Sequence, residues 1–110
     1  MREINKDALY EGRKIRIIYQ PEADAHHLII GENLIVLERG ILDELSRTSP
    51  EGLEMKLDAV NPSSDYILKS EGLTYEAVGW AIAQARLVEL EDELNYAYSN
   101  LNQRLYKSNF

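Results

Sequence analysis

Two adjacent histidines, His26 and His27, follow Glu22 and Asp24 and are the only histidines in the chain. An imidazole beside a carboxylate is the raw material of a general base or a metal site. The run His26–Ile30 reads as a strand, and strand neighbours point to opposite faces. At most one histidine can therefore join Asp24 or Glu22 at a metal. No His-Glu-x-x-His or other ligand spacing accompanies them, so surface or structural histidines are the favoured reading. The carboxylates Asp43, Glu44, Glu51, Glu54 and Asp58 could supply an acid–base pair, but nothing in the sequence brings two of them into a cleft. They read as a solvated acidic face, whose functional version is a docking surface for a basic partner. Neither phosphate-loop glycine pattern is present, and no serine sits in a Gly-x-Ser-x-Gly setting. With no cysteine, disulfides, thiolate metal sites and cysteine nucleophiles are excluded. No catalytic residue, cofactor or metal ligand is assigned.

Composition points the same way. The 110 residues suit one domain, 1–110, and 45% apolar with 28% charged residues is ordinary for a soluble globule. The net charge of −7 is uneven. Residues 1–20 carry five basic and three acidic side chains, residues 21–65 three and ten, and residues 66–110 four and six. So acidic a chain has no broad footprint for phosphate backbones, which makes direct nucleic-acid binding unlikely and a basic protein partner the better fit. The first residues have no apolar signal-type run, and no stretch nears the ~20 apolar residues that span a bilayer. A cytoplasmic location, with no membrane contact, is the expectation.

The fold class expected is α+β: a small antiparallel sheet of about four strands covered by one long C-terminal helix. Residues 1–73 read as mainly β with short helices. A short helix is expected over 2–11. Lys14–Tyr19 alternates, with Ile15, Ile17 and Tyr19 on one face. Pro21–Asp24 is a turn. His26–Ile30 and Leu34–Glu38 form a hairpin around Gly31-Glu32-Asn33. Helical spacing also allows one helix over Glu32–Arg47, but a strand to Glu38, a break at Gly40 and a helix over Ile41–Ser46 is preferred. Leu53, Met55 and Leu57 alternate with charges, which predicts a fourth strand over 53–58. Tyr66–Lys69 is either a short strand or one helical turn.

The helix expected over 74–107 organises the rest. Thr74 is its N-cap, Leu73 and Val78 form a hydrophobic staple, and Glu76 meets the positive end of the dipole. Trp80, Ala83, Leu87, Leu90, Leu94, Ala97 and Leu101 follow alternating steps of three and four, and Leu105 continues the line. A second stripe, Val78, Ala81 or Ile82, Ala85 and Val88, is confined to the first half, which should therefore be buried nearly all round. The run Glu89–Glu93 reads as a solvated flank. About 34 residues at ~1.5 Å rise make a rod of ~50 Å, against a ~35 Å diameter for a compact chain of this size. A bare leucine seam is avoided by soluble monomers. A two-fold homodimer through Leu87, Leu90, Leu94, Leu101 and Leu105 follows. The alternative is a helix broken near Asn95 that folds back on itself.

The segment Tyr19-Gln20-Pro21-Glu22-Ala23-Asp24-Ala25 resembles the strand–turn–strand opening of small uncharacterised bacterial β-proteins with Tyr-x-Pro-Glu-Ala-Asp-Ala, which implies a hairpin. The order of elements is similar to that of small secretion-effector chaperones. Two functional readings stand ahead of a metal-dependent enzyme. The first is a non-enzymatic acidic regulator, an inhibitor or adaptor of a protein partner, whose carboxylates could mimic phosphates. The second is a small-molecule or nucleotide-ligand module at the sheet–helix or dimer seam, using Arg16, Tyr19, Trp80 and Arg104. On the helix itself, Tyr98, Asn102 and Tyr106 form a stripe near Arg104 suited to binding.

Overall fold

The computed structural model describes the backbone of residues 8–108 and the side chains of residues 8–101. Four strands come first: β1 (Ala8–Glu11), β2 (Ile15–Gln20), β3 (Ala25–Ile30) and β4 (Asn33–Leu37). Each pairs antiparallel with the next, in the order β1-β2-β3-β4. Four helices follow: α1 (Ile41–Ser46), α2 (Pro50–Val60), α3 (Ser64–Glu71) and α4 (Tyr75–Ser108). The α+β architecture, with a four-stranded antiparallel sheet and a long C-terminal helix, is the expected one, but the strands are not all the expected ones.

Period-two alternation builds the sheet. Ile15, Ile17, Leu28, Ile30, Ile35 and Leu37 are buried on the helix-facing side. The opposite face carries Arg16, Ile18, His27, Ile29, Leu34 and Val36, with Leu34 and Val36 exposed. The β3–β4 turn has two residues, because Ile30 pairs with Asn33. Gly31 alone has positive φ there (62°), the glycine requirement of a II′-type hairpin turn.

Two of the expected placements fail, and one left open between strand and helix resolves as helix. Ala8–Glu11 is a strand, not the end of a helix over 2–11; residues 2–7 lie outside the described ones. Its register shifts between Ala8 and Tyr10, a bulge that turns both Leu9 and Tyr10 toward the core and so hides the alternation. Residues 53–58 are helical, within α2. Leu53 and Leu57 are buried one turn apart, while Met55 is 75% exposed. Pro50 occupies the first turn, where its fixed φ and missing N–H are harmless. Within α2 no β-branched residue occurs before Val60. Tyr66–Lys69 lies inside α3. Asn61 opens that helix by accepting the Ser63 N–H at Oδ1 (2.9 Å), an Asx turn. Lys14 Nζ closes it by donating to the Glu71 carbonyl (2.7 Å).

α4 starts as expected: Ala77 N–H donates to Thr74 Oγ1 (3.1 Å), and Leu73 and Val78 join the core. It runs unbroken for 34 residues, so the hairpin near Asn95 is excluded. Val78, Ala81, Ile82 and Ala85 are buried against the sheet and the short helices; the alanines bring the backbones close. The first half is not buried all round, however: Trp80 is 57% exposed. Four stacked positions on α4 cover β1 and β2, while α2 meets β4 and α3 meets β3. The molecule measures 61 × 29 × 23 Å, drawn out along one axis as a rod longer than its body requires.

Candidate functional site

Where α4 leaves the body it crosses a groove of about 550 Å³ lined by Tyr19, Asp24, His26, Asp43, Arg86 and Glu89, with Asp92 and Glu93 at its outer end. β3 places His26 on the core face and His27 on the other, the alternation expected of neighbours. His26 Nε2 lies 2.5 Å from Glu89 Oε2. The other Glu89 oxygen accepts from Arg86 (3.0 Å), and Arg86 Nε donates to Asp43 Oδ1 on α1 (3.1 Å). One chain of charge-assisted hydrogen bonds thus ties α4 to the sheet and to α1. Around it, Tyr19 donates to Asp24 Oδ1 (2.8 Å), Arg39 pairs with Asp24 (3.1 Å), and Arg47 pairs with Asp43 (2.9 Å).

The electrostatics fit a clamp. Burial pushes the Glu89 carboxyl up, but the hydrogen bonds and charges of His26 and Arg86 outweigh it and hold it below the usual carboxylate range. Burial also opposes the Arg86 charge, and Glu89 and Asp43 overcome it, raising the guanidinium further. His26 is only 8% exposed; its Nε2 is engaged by Glu89, and its Nδ1 is buried without a protein partner. Both Glu89 oxygens are occupied. In this arrangement the ionisable groups of the groove are engaged with one another. Among the described residues no cluster of histidines and carboxylates could hold a metal ion, and no helix is long and apolar enough to cross a membrane.

Two open surfaces bear on function. One is an acidic ridge on α2: Glu51, Glu54 and Asp58 recur at helical spacing, and with Asp65, Met55 and Tyr75 they line a second hollow of about 460 Å³. Among the described residues none of the three α2 carboxylates has an ion-pair partner. The other is α4 beyond Glu89, where every described side chain from Leu90 to Leu101 is exposed. Leu90, Leu94 and Leu101 present apolar surface there, and Leu87 just before Glu89 begins the line, on the side away from Val78, Ala81, Ile82 and Ala85.

The proposed ligand residues do not share one site. Tyr19 lines the clamp groove. Arg16 is on the open face of the sheet, beside Glu11 (3.6 Å). Trp80 meets Tyr10 edge-on, with ring centroids 5.8 Å apart, over a separate groove of about 340 Å³ that includes Arg13, Lys14, Leu73 and Ala77. Tyr98 is exposed on the overhang. Asn102, Arg104, Leu105 and Tyr106 lie on α4, but their side chains are outside the described ones.

The clamp is what sequence reading missed. Glu89 is not a solvated flank: its side chain is 19% exposed. One signal was present, because Glu89 continues the buried spacing of Ala81 and Ala85 by four residues. That it would meet His26, 63 residues earlier, is tertiary information. No protein-family model, curated protein or solved structure matches the chain.

Proposed function

We propose that this protein is a non-enzymatic interaction protein. It joins to a second copy through α4 and offers the carboxylates of its middle segment to a basic protein partner, as an inhibitor or adaptor that mimics phosphates. The observation that carries this reading is the overhang. Leu87, Leu90, Leu94 and Leu101 repeat at coiled-coil spacing on a helix that has already covered the core with its other face. The acidic ridge Glu51, Glu54, Asp58 supports the choice of a basic partner, since exposed carboxylates at helical intervals steer cations. The acidic, cysteine-free composition suits a cytoplasmic setting.

The test is the mass in solution. At tens of micromolar, sedimentation equilibrium should give twice the 12.6 kDa protomer, and Leu94→Glu should return it to one protomer without lowering the cooperativity of unfolding. A monomeric wild-type protein at that concentration refutes the reading. A second reading rests on the Tyr10–Trp80 groove, whose Arg13 and Lys14 rim would suit a planar anion. Salt separates the two: docking on an exposed acidic ridge weakens steeply between low and high ionic strength, whereas an aromatic-floored groove holds its ligand.

A further inference from the structure

Resting on the reading that α4 self-associates, we infer that the two helices run antiparallel, offset so that Leu90 packs against the partner's Leu101 and Leu94 against the partner's Ala97. The two-fold axis then passes between residues 95 and 96, and each contact occurs twice. In this register Glu91 falls beside the partner's Tyr98 on one flank, and Glu93 beside the partner's Asn100 on the other. Both carboxylates thereby gain an uncharged donor, and all four side chains are exposed in the single chain. The layers nearest the axis set leucine on alanine and then leucine on leucine, while Leu87 falls opposite position 104 of the partner.

Charge decides against the alternatives. Sliding the antiparallel pair one heptad back sets Leu90 on the partner's Leu94, and then Glu91 and Glu93 each face their own copies. That places four carboxylates around the axis. A parallel pair sets Glu91 beside the partner's Arg86 and Glu93 beside the partner's Tyr98, but Arg86 is already held by Asp43 and Glu89, so Glu91 gains little there. A parallel pair also sets two bodies of the same acidic sign side by side. In the antiparallel pair they sit at opposite ends of the paired rod, many Debye lengths apart.

The chain has no cysteine, so a single Glu76→Cys substitution carries one spin label, on an exposed position of the first turn of α4. In the proposed pair the two labels are ~60 Å apart along the rods, from 1.5 Å per residue. In a parallel pair they are ~20 Å apart, one interhelical spacing plus two label arms. A dipolar distance near 60 Å is expected. A distance near 20 Å overturns the orientation while leaving self-association intact, and the absence of any dipolar signal at dimer-forming concentration overturns both. The flanking contacts are tested separately: Tyr98→Phe with Asn100→Ala should weaken association about tenfold or more with an unchanged monomer melt. Unchanged association overturns this register.

Discussion

Removing the Glu89 carboxylate should unfasten α4 from the sheet. Glu89 accepts from Arg86 at 3.0 Å and meets His26 Nε2 at 2.5 Å; hydrogen bonds to charged partners contribute about 1.5–3 kcal/mol each. Glu89→Ala loses both and leaves His26 buried with neither ring nitrogen satisfied. The adjoining groove opens to solvent, so water recovers part of the loss. A destabilisation of about 2–4 kcal/mol at neutral pH follows, or a fall in Tm on the order of 10–25 °C for a chain of this size. Glu89→Gln keeps the shape and loses the charge, at about half that cost. The pH dependence has a definite sign. The Glu89 carboxyl is held below the usual range in the folded protein, so its stabilisation is complete above the unfolded carboxylate value of about 4.3. It is lost as pH falls through the depressed folded value. The gap between wild type and Glu89→Gln should therefore be full at pH 7 and narrow steadily on acidification. Urea unfolding followed by circular dichroism at pH 7, 5 and 3 measures it, with Asp92→Asn as the exposed neighbour that should change stability by less than about 0.5 kcal/mol. If Glu89→Ala matches wild type at pH 7, or the Glu89→Gln gap does not vary with pH, the clamp is not what holds the helix.

Further predictions concern elements that sequence patterns alone left ambiguous. Leu57→Ala should cost about 2–5 kcal/mol by opening a core cavity, and Met55→Ala, at an exposed site, less than about 0.5; equal losses in chemical denaturation would restore a strand over 53–58. Gly40 and Gly31 both have positive φ, 82° and 62°, but nothing stands within 4 Å of a side chain at 40, whereas one at 31 would meet the Glu71 carboxylate. Gly40→Ala should therefore cost about 1–2 kcal/mol, the left-handed backbone alone. Gly31→Ala should cost measurably more, since Glu71 must also move. Equal losses would mean that Glu71 gives way freely.

Much of this molecule is written in short-range chemistry. The N-cap at Thr74, the break at Gly40, the helix Ile41–Ser46 and the hairpin turn at Gly31 each depend on one or two residues, and each lies where those residues put it. The misplaced strand over 53–58 comes from a pattern short enough to satisfy two periods. Leu53, Met55 and Leu57 alternate, yet Leu53 and Leu57 are also one helical turn apart, and only the sheet's capacity to bury two of the three decides. Leu9 and Tyr10 look unlike a strand because a bulge turns both inward. The clamp was harder still. Glu89, Arg86 and Asp43 stand in sequence as ordinary surface charges, and it is packing of α4 on β3 that encloses them. The overhang, by contrast, was legible from length, since a rod of ~50 Å outruns the ~35 Å diameter of a compact chain of this size.

Glu89 also marks a division of labour along α4. Before it, Val78, Ala81, Ile82 and Ala85 face the body; after it, every described side chain faces water. Nucleation, the costly step in helix formation, is done by the packed half, and the chain beyond Glu89 only propagates. It contains no glycine or proline through Ser108, so nothing breaks it. But Asn95, Tyr96, Tyr98, Ser99 and Asn100 are mediocre helix formers, and the exposed backbone gains little from each added turn. In the proposed pair, a second copy resting on the leucines would add the packing that this segment lacks. The clamp then has a role beyond stability. By fixing Glu89 to His26 and Arg86 to Asp43 it sets the direction in which the leucine seam leaves the body. A seam that must meet its copy at one offset gains from a fixed exit, because less orientational freedom remains to be lost on pairing. If the proposed pairing holds, stability at the groove and association along the rod are properties of the same few side chains.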